Sequence, residues 1–373
     1  MCLHKTSLPG LFLSLSLLIG CSPPSTELKP TRQSWFVMGT TLEISVYRPE
    51  AEAALGLEDL AVAHATIVEI DERLSLYKSN SELVEVNAKA GKGLQPISSQ
   101  FSDVLSASTH FGDLSGGALD VAIQPLIALW GFYDVSTAEV PPNNEVSKVM
   151  SRVGIDHVQI AKDGTQVAMA SGAGMDFGGI AKGVAVDRAI EVLKARGVPA
   201  GLINLGGNIR VFGALAEGRA WRIGIRHPRE SRIIGQVSLT SGAVATSGDY
   251  DRYFIHDGKR YSHILDPRTG WPVENIYSLT VVAPDATTAD ALSTAAFVLG
   301  EKQGMQLLTR CSDVEGVLLR PSATSDNLDA IATTINTQSA AIEIDTAFVE
   351  ILPPNTEGAE KNSVIDCGWR SLN

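Results

Sequence analysis

Residues 175–208 read MDFGGIAKGVAVDRAIEVLKARGVPAGLINLGGN. The stretch holds a glycine loop, a helical run over 181–196 with Gly197 where a helix would stop, and a short β-rich segment at 201–204. Working outward, residues 35–48 are rich in β-branched residues and read as a hairpin or a long bent strand broken near Gly39. Residues 50–74 carry an apolar period of 3.6 through Leu57, Leu60, Val62, Ile67 and Ile70, and residues 285–299 read as a third helix. Further strands are expected at 221–226, 236–240, 278–283 and 316–319. This order is neither a regular βαβ series nor all-β. It predicts an α+β fold of mixed, largely antiparallel sheets with packed helices, in two interlocked lobes and with no internal repeat.

The chain has 373 residues, 44% hydrophobic and 19% charged, enough apolar material for a globular core. Thirty Lys and Arg face 42 Asp and Glu, a net charge of -12 whose field repels nucleic acid and anionic lipid headgroups. No nucleic-acid partner is expected. A small anionic ligand is compatible, because a phosphate responds to local amides, a metal and one or two cations.

Residues 1–20 read as an export signal: His4 and Lys5 precede an apolar run at 11–19 that is too short for a permanent membrane span. The run ends in Leu18-Ile19-Gly20-Cys21, which resembles the bacterial lipobox, so Cys21 is the expected lipidation site; an ordinary signal with an incidental Cys is the plainer alternative. Residues 21–34 read as a Pro-, Ser- and Thr-rich tether, 35–320 as the main body and 321–373 as an extension. Cys311 and Cys367 then remain in the exported protein. In an oxidising compartment they suggest one disulfide, the alternative being two separate buried thiols. No CxxC or HExxH spacing supports a zinc site.

Four constellations carry chemistry. Residues 175–183 place Gly178 and Gly179 before a helix, where a phosphate can approach unpaired N–H groups; a glycine turn with Asp176 as helix cap explains the same residues. Asp290 and Thr294 stand i, i+4 on one helix and can hold a hard cation, although such pairs are common and usually face water. A third stretch runs from Ser247-Gly248-Asp249-Tyr250-Asp251-Arg252-Tyr253 through residues 261–270, where His263, followed by an apolar pair and an Asp-Pro turn, fits a site edge or a structural histidine. Residues 115–120 lead into a run ending Leu129-Trp130-Gly131-Phe132, which on its own reads as a turn feeding a buried helix.

Together these stretches resemble one family, the ApbE-type FAD:protein FMN transferases. The shared segments run in order: Met38-Gly39-Thr40, Leu74-Ser75-Leu76-Tyr77 with Ser81-Glu82, GALD at 117–120, LWGF at 129–132, DFGGIAKG at 176–183, NLGGN at 204–208, TSGDYDRYF at 246–254, YSHILDPRTGWP at 261–272 and ADALSTAAFVLG at 289–300. The resemblance implies transfer of the FMN half of FAD to a Ser or Thr hydroxyl of another protein, with release of AMP and dependence on Mg²⁺. By position it implies FAD contacts at Met38, Tyr77, Ala118, Leu119, Asp120, Asp176, Lys182 and Ile264. Mg²⁺ would be held by Asp290, Thr294 and the Gly179 carbonyl. His263 is the candidate base for the acceptor hydroxyl, since an imidazole titrates near working pH; a positional role is the alternative.

Two other functions fit the same residues: a Mg²⁺-dependent FAD pyrophosphatase, with water as nucleophile, and a non-catalytic flavin-binding lipoprotein. The acceptors implied by the resemblance are subunits of membrane redox complexes. The expected location is the periplasmic side of a membrane, held by lipid on Cys21, the inner membrane favoured and the outer open. Residues 321–373 carry no family motif, and the β-branched residues between 331 and 351 are expected to add strands.

Overall fold

The computed structural model describes residues 28–215, 218–322, 328–332, 340–345, 349–352 and 365–369. The expected signal peptide, Cys21 and the first part of the tether lie outside the described residues. The chain opens with β1 (Leu28–Val37) and β2 (Thr40–Pro49), an antiparallel hairpin turned by Met38 and Gly39. The break expected near Gly39 is therefore a tight turn. Residues 28–34, read as tether, are strand instead: β1 is an edge strand, where polar outward side chains and Pro30 are tolerated because one backbone edge needs no partner.

Next come α1 (Leu55–Leu74), α2 (Glu82–Asn87), β3 (Gln95–Pro96), α3 (Ser99–Leu114), α4 (Gln124–Leu129), α5 (Asn143–Met150), β4 (Val158–Ile160) and β5 (Gln166–Met169). α1 starts five positions later than its apolar period suggested, after a 3-10 turn at Glu50–Glu52. It buries Leu60, Ile67 and Ile70 but leaves Leu57 and Val62 exposed. α3 was not legible as a helix because Ser and Thr dilute its apolar face. The Ser98 hydroxyl caps it by accepting the Phe101 amide, and Phe101, Val104, Leu105 and Phe111 form its buried stripe.

The second half holds α6 (Ala181–Ala195), β6 (Ala200–Leu205), β7 (Asn208–Phe212), β8 (Trp221–Arg226), β9 (Ile233–Leu239), β10 (Gly242–Gly248), β11 (Tyr253–His256), β12 (Lys259–Ser262), β13 (Leu265–Asp266) and β14 (Trp271–Pro272). After these come β15 (Ser278–Ala283), α7 (Ala286–Arg310), β16 (Glu315–Pro321), β17 (Leu328–Ala332), β18 (Ala340–Ile344) and β19 (Val349–Leu352). α7 extends past the expected residue 299 as two limbs joined at Gly300, whose φ of 81° and ψ of -178° break the helix. The second limb folds back so closely that a Cβ on Gly304 would sit 2.2 Å from the Ala296 carbonyl oxygen.

One nine-stranded sheet, in the order β1-β2-β6-β7-β10-β15-β16-β17-β19, organises the molecule and is antiparallel except for the β17–β19 pair. α1, α3, α6 and α7 supply the main core on one face. A smaller sheet, β18-β9-β8, covers the other, packing Trp221, Ile223 and Val237 against Val211, Val244, Val282 and Val317. β15 is therefore buried at every position, which explains its unbroken run SLTVVA: Leu279 and Val281 face the helices and Val282 faces the smaller sheet. The fold is the expected mixed, largely antiparallel α+β type.

The extension adds the expected strands, lengthening the large sheet through β17 and β19 and the small one through β18. Its end returns to the body, where Cys311 and Cys367 form a disulfide with Cα atoms 5.2 Å apart. A third, aromatic core gathers Leu126, Trp130, Phe132, Val146 and Leu265 with Phe254, Tyr261 and Trp271 around it. The buried Trp130 indole donates to the Gly270 carbonyl at 3.0 Å.

Candidate active site

A cavity of 470 Å³ opens between the main core and the aromatic core, lined by Met38, Leu119 and Ile264 from the first and Phe132 and Leu265 from the second. This size suits a cofactor-like ligand. All twelve residues that the sequence singled out for ligand, metal or proton chemistry line it: Met38, Tyr77, Ala118, Leu119, Asp120, Asp176, Gly179, Lys182, His263, Ile264, Asp290 and Thr294. Cys21 lies outside the described residues.

The floor is built where α6 crosses α7. A Cβ on Gly183 would lie 2.4 Å from the Ala286 carbonyl oxygen and 2.8 Å from the Asp290 Cβ, so only glycine permits this approach. The crossing lets Asp290 Oδ2 accept the Gly183 amide at 2.9 Å. Asp290 is only 4% exposed, not the solvent-facing residue its helical spacing alone suggested. Burial pushes its carboxyl above the usual carboxylate range, against the pull of the Lys182 charge and the Gly183 amide. One turn on, the Thr294 hydroxyl donates to the Gly179 carbonyl at 3.3 Å and lies 3.3 Å from Ser247 Oγ.

The Thr294 hydroxyl and the Gly179 carbonyl are thus hydrogen-bonded, and the Asp290 carboxylate, one turn away on α7, lines the same cavity. An all-oxygen set with a single carboxylate fits Mg²⁺, which keeps few protein ligands and fills its shell with phosphate and water. Among the described residues no cluster of three His, Cys, Asp or Glu side chains could hold a metal.

Above the floor, the N-terminus of α6 and Lys182 supply positive potential. Ile180 at the N-cap makes no side-chain capping bond, and Lys182 Nζ donates to the Gly178 carbonyl at 3.1 Å. Asp176 shapes the loop, its Oδ1 accepting the Gly178 amide at 2.7 Å and its Oδ2 the Tyr133 hydroxyl at 2.7 Å. Burial, then the neighbouring Asp176 charge, pushes the Tyr133 phenol far up, so it stays a donor. Asp120 spends both oxygens on the backbone amides of Ala122 and Ile155, each at 2.8 Å, and so braces the wall.

At the mouth, Met38 has a φ of 51° and Gly39 one of 72°, the two-residue turn geometry that strand twist favours and that normally selects Asn or Gly first. A methionine there is strained, and it faces the cavity. Beside this turn, where a Cβ on Gly39 would lie 3.3 Å from its Nη2, Arg252 donates from Nη1 to the Tyr77 hydroxyl at 2.6 Å, and the Tyr77 ring meets the Tyr133 ring edge-on at 6.0 Å. His263 Nδ1 lies 3.1 Å from the Arg252 carbonyl. Desolvation in the cavity, with the Arg252 charge second, lowers this imidazole to about 4.

Sequence reasoning assigned no role to Tyr133, Asn208, Ser247, Asp251 or Arg252, all of which line the cavity. Asn208 hydrogen-bonds Asp290. Each had a signal: Tyr133 follows Leu129-Trp130-Gly131-Phe132, Asn208 closes NLGGN, and the other three lie within TSGDYDRYF.

The ApbE family model matches residues 38–318. An FAD:protein FMN transferase of Vibrio cholerae is 34% identical over 305 residues, covering 78% of this chain and 87% of that protein. Its counterpart in Salmonella typhimurium is 31% identical over 306 residues, covering 79% and 87%. Among solved structures, the ApbE protein of Thermotoga maritima superposes with a TM-score of 0.74 at 31% identity, covering 78% of this chain and 94% of that one. The apo flavinyl transferase ApbE of Pseudomonas stutzeri gives 0.72 at 32%, covering 83% and 96%. Sequence, fold and the order of the cavity-lining motifs agree: this chain belongs to the ApbE family.

Proposed function

We propose that this chain is an FAD:protein FMN transferase, moving the FMN half of FAD onto a Ser or Thr hydroxyl of an acceptor protein. The observation that carries the reading is the convergence, in one cavity, of the Asp290, Thr294 and Gly179 oxygens with Lys182, the α6 N-terminus and a neutral His263.

The geometry supports the following roles. Apolar walls from Leu119, Phe132 and Ile264 receive the flavin, with Met38 and Tyr77 at the mouth. The α6 N-terminus and Lys182 attract the diphosphate. Asp290, Thr294 and the Gly179 carbonyl would hold Mg²⁺, which when bound neutralises diphosphate charge and favours its cleavage. The acceptor hydroxyl oxygen forms a bond to the FMN phosphorus and passes its proton to His263 Nε2. The bond from that phosphorus to the bridging oxygen breaks, and AMP leaves with the electron pair. An imidazole near 4 is a weak base when the cavity is empty; the negative charge of bound diphosphate raises it toward the working range.

We further infer an exported protein anchored by lipid on Cys21 at the periplasmic side of a membrane, the inner one favoured, with acceptors among membrane redox subunits. The lipobox-like Leu18-Ile19-Gly20-Cys21 supports this. Fatty-acid labelling that persists in Cys21→Ala would reject the anchor.

The activity test incubates the protein with FAD, Mg²⁺ and a candidate acceptor. The transferase reading requires FMN mass on the acceptor and AMP in solution. Free FMN and AMP without acceptor labelling would show a pyrophosphatase, and intact FAD a binding protein.

A further inference from the structure

The first turns of α6 and α7 cap each other. Asp290 of α7 accepts the Gly183 amide in the first turn of α6. In return Asp187, one turn further along α6, accepts the first amides of α7: Ala286 N–H on Oδ1 and Thr287 N–H on Oδ2, both at 2.8 Å. Asp187 Oδ2 also accepts the Thr287 hydroxyl at 2.6 Å, and Arg210 Nη1 lies 2.9 Å from Oδ1. Both carboxylate oxygens are thus occupied, and Asp187 is not among the cavity-lining residues. It touches none of the reacting groups.

We propose that Asp187 is the positioning residue of the metal site. Resting on the Mg²⁺ reading above, it fixes the height and rotation of α7 so that the Asp290 carboxylate and Thr294 hydroxyl face the Gly179 carbonyl. Two amides and a hydroxyl on one carboxylate define an orientation rather than a single distance. The contact at Gly183 removes the remaining freedom by holding the helix axes at minimum separation. Ala286 and Asp290 are i and i+4, so a shift at the held residue is carried through one rigid turn to the ligand. Arg210 ties the device to β7, the strand that also begins with Asn208, a neighbour of Asp290. Ligand-orienting partners of this kind are worth roughly 10- to 100-fold in metal affinity.

The test compares the wild-type full chain with Asp187→Asn, which keeps size but loses one acceptor oxygen and the charge. Mg²⁺ is titrated into each protein–FAD complex and followed by flavin fluorescence, with thermal unfolding recorded with and without Mg²⁺. The half-saturating Mg²⁺ concentration should rise about tenfold or more. FAD affinity without Mg²⁺ should stay within about twofold, and high Mg²⁺ should restore the transfer rate. A purely structural role would lower the unfolding temperature and leave the Mg²⁺ midpoint in place; that result overturns the proposal. If Asp187→Asn does not fold, Thr287→Val removes one bond only and should shift the midpoint in the same direction, an unchanged midpoint again overturning it. A wild-type complex with no Mg²⁺ response would instead bring down the metal reading, and the positioning role with it.

Discussion

His263 gives both its donors to one oxygen: its backbone N–H reaches the Arg252 carbonyl at 3.0 Å and its Nδ1 lies 3.1 Å away. A carbonyl only accepts, so Nδ1 carries the hydrogen and the Nε2 lone pair is left for an incoming hydroxyl. His263→Ala should therefore slow transfer by roughly 10²- to 10⁴-fold with FAD affinity little changed. In the free enzyme the imidazole is neutral above about 4, so kcat/KM should hold from neutral pH down and fall as pH approaches that value. His263→Gln should lose this acidic limb. Weaker FAD binding with near-normal turnover at saturating FAD would leave His263 only a positional role. The linkage has a matching sign: this group's stabilising contribution is complete above the ordinary 6.5 and is lost as pH falls toward 4.

Because Asp290 is buried and accepts the Gly183 amide, its replacement affects folding as well as metal binding. Asp290→Ala should cost about 1 to 3 kcal/mol by leaving that N–H unpaired. Asp290→Asn can keep the bond and should fold nearly normally, yet lose transfer by about 10²-fold or more. EDTA should reproduce the loss in the wild type. Thermal unfolding and transfer assays on the two variants separate the effects, and full activity of Asp290→Asn in metal-free buffer would sink the assignment.

The strain at Met38 predicts opposite changes in stability and affinity. Met38→Asn suits the left-handed turn position and should stabilise the apo protein by about 1 kcal/mol. It also removes apolar surface from the cavity mouth, so FAD should bind more weakly. Unfolding without FAD and a fluorescence titration measure the two; a stabilised variant with unchanged FAD affinity would show that the strain serves something other than ligand contact.

The disulfide closes a separation of 56 residues between the body and the end of the extension. In the chain-entropy model such a loop contributes about 4 kcal/mol. Cys311→Ser with Cys367→Ser, or dithiothreitol, should lower the denaturation midpoint by a corresponding amount. A non-reducing digest should yield the cross-linked peptide pair; two free thiols at these positions in protein from an oxidising compartment would reject the bridge.

Much of the site was legible because its chemistry is local. DFGGIAKG before a helical run offers a loop that an anion could approach or a plain glycine turn, and Asp290 and Thr294 share a helix face by spacing alone. What spacing could not say is which way that face points. Periodicity placed Leu57 and Val62 with the buried residues of α1 although both are exposed, because the apolar stripe is narrower than the count implied. The tether was extended to residue 34 because an edge strand of polar residues carries no periodic signal; its partner β2 makes it a strand.

Motif order, the helical runs, β-rich segments and cysteine arithmetic determined, without coordinates, the mixed α+β class, the segments that line the cavity and one possible disulfide pairing. Such features reside in neighbours along the chain, within a helical turn or a strand. Tertiary structure alone decided that Asp290 is buried against Gly183 across 107 positions, that Arg252 reaches Tyr77 across 175, and that Asp187 returns the cap to α7. Burial, pKa shifts and hydrogen-bond partners depend on which surfaces the sheet and helices bring together. A carboxylate four residues from a hydroxyl reads the same in sequence whether it faces water or is buried against a neighbouring helix, and only the packing of α6 on α7 tells the two apart.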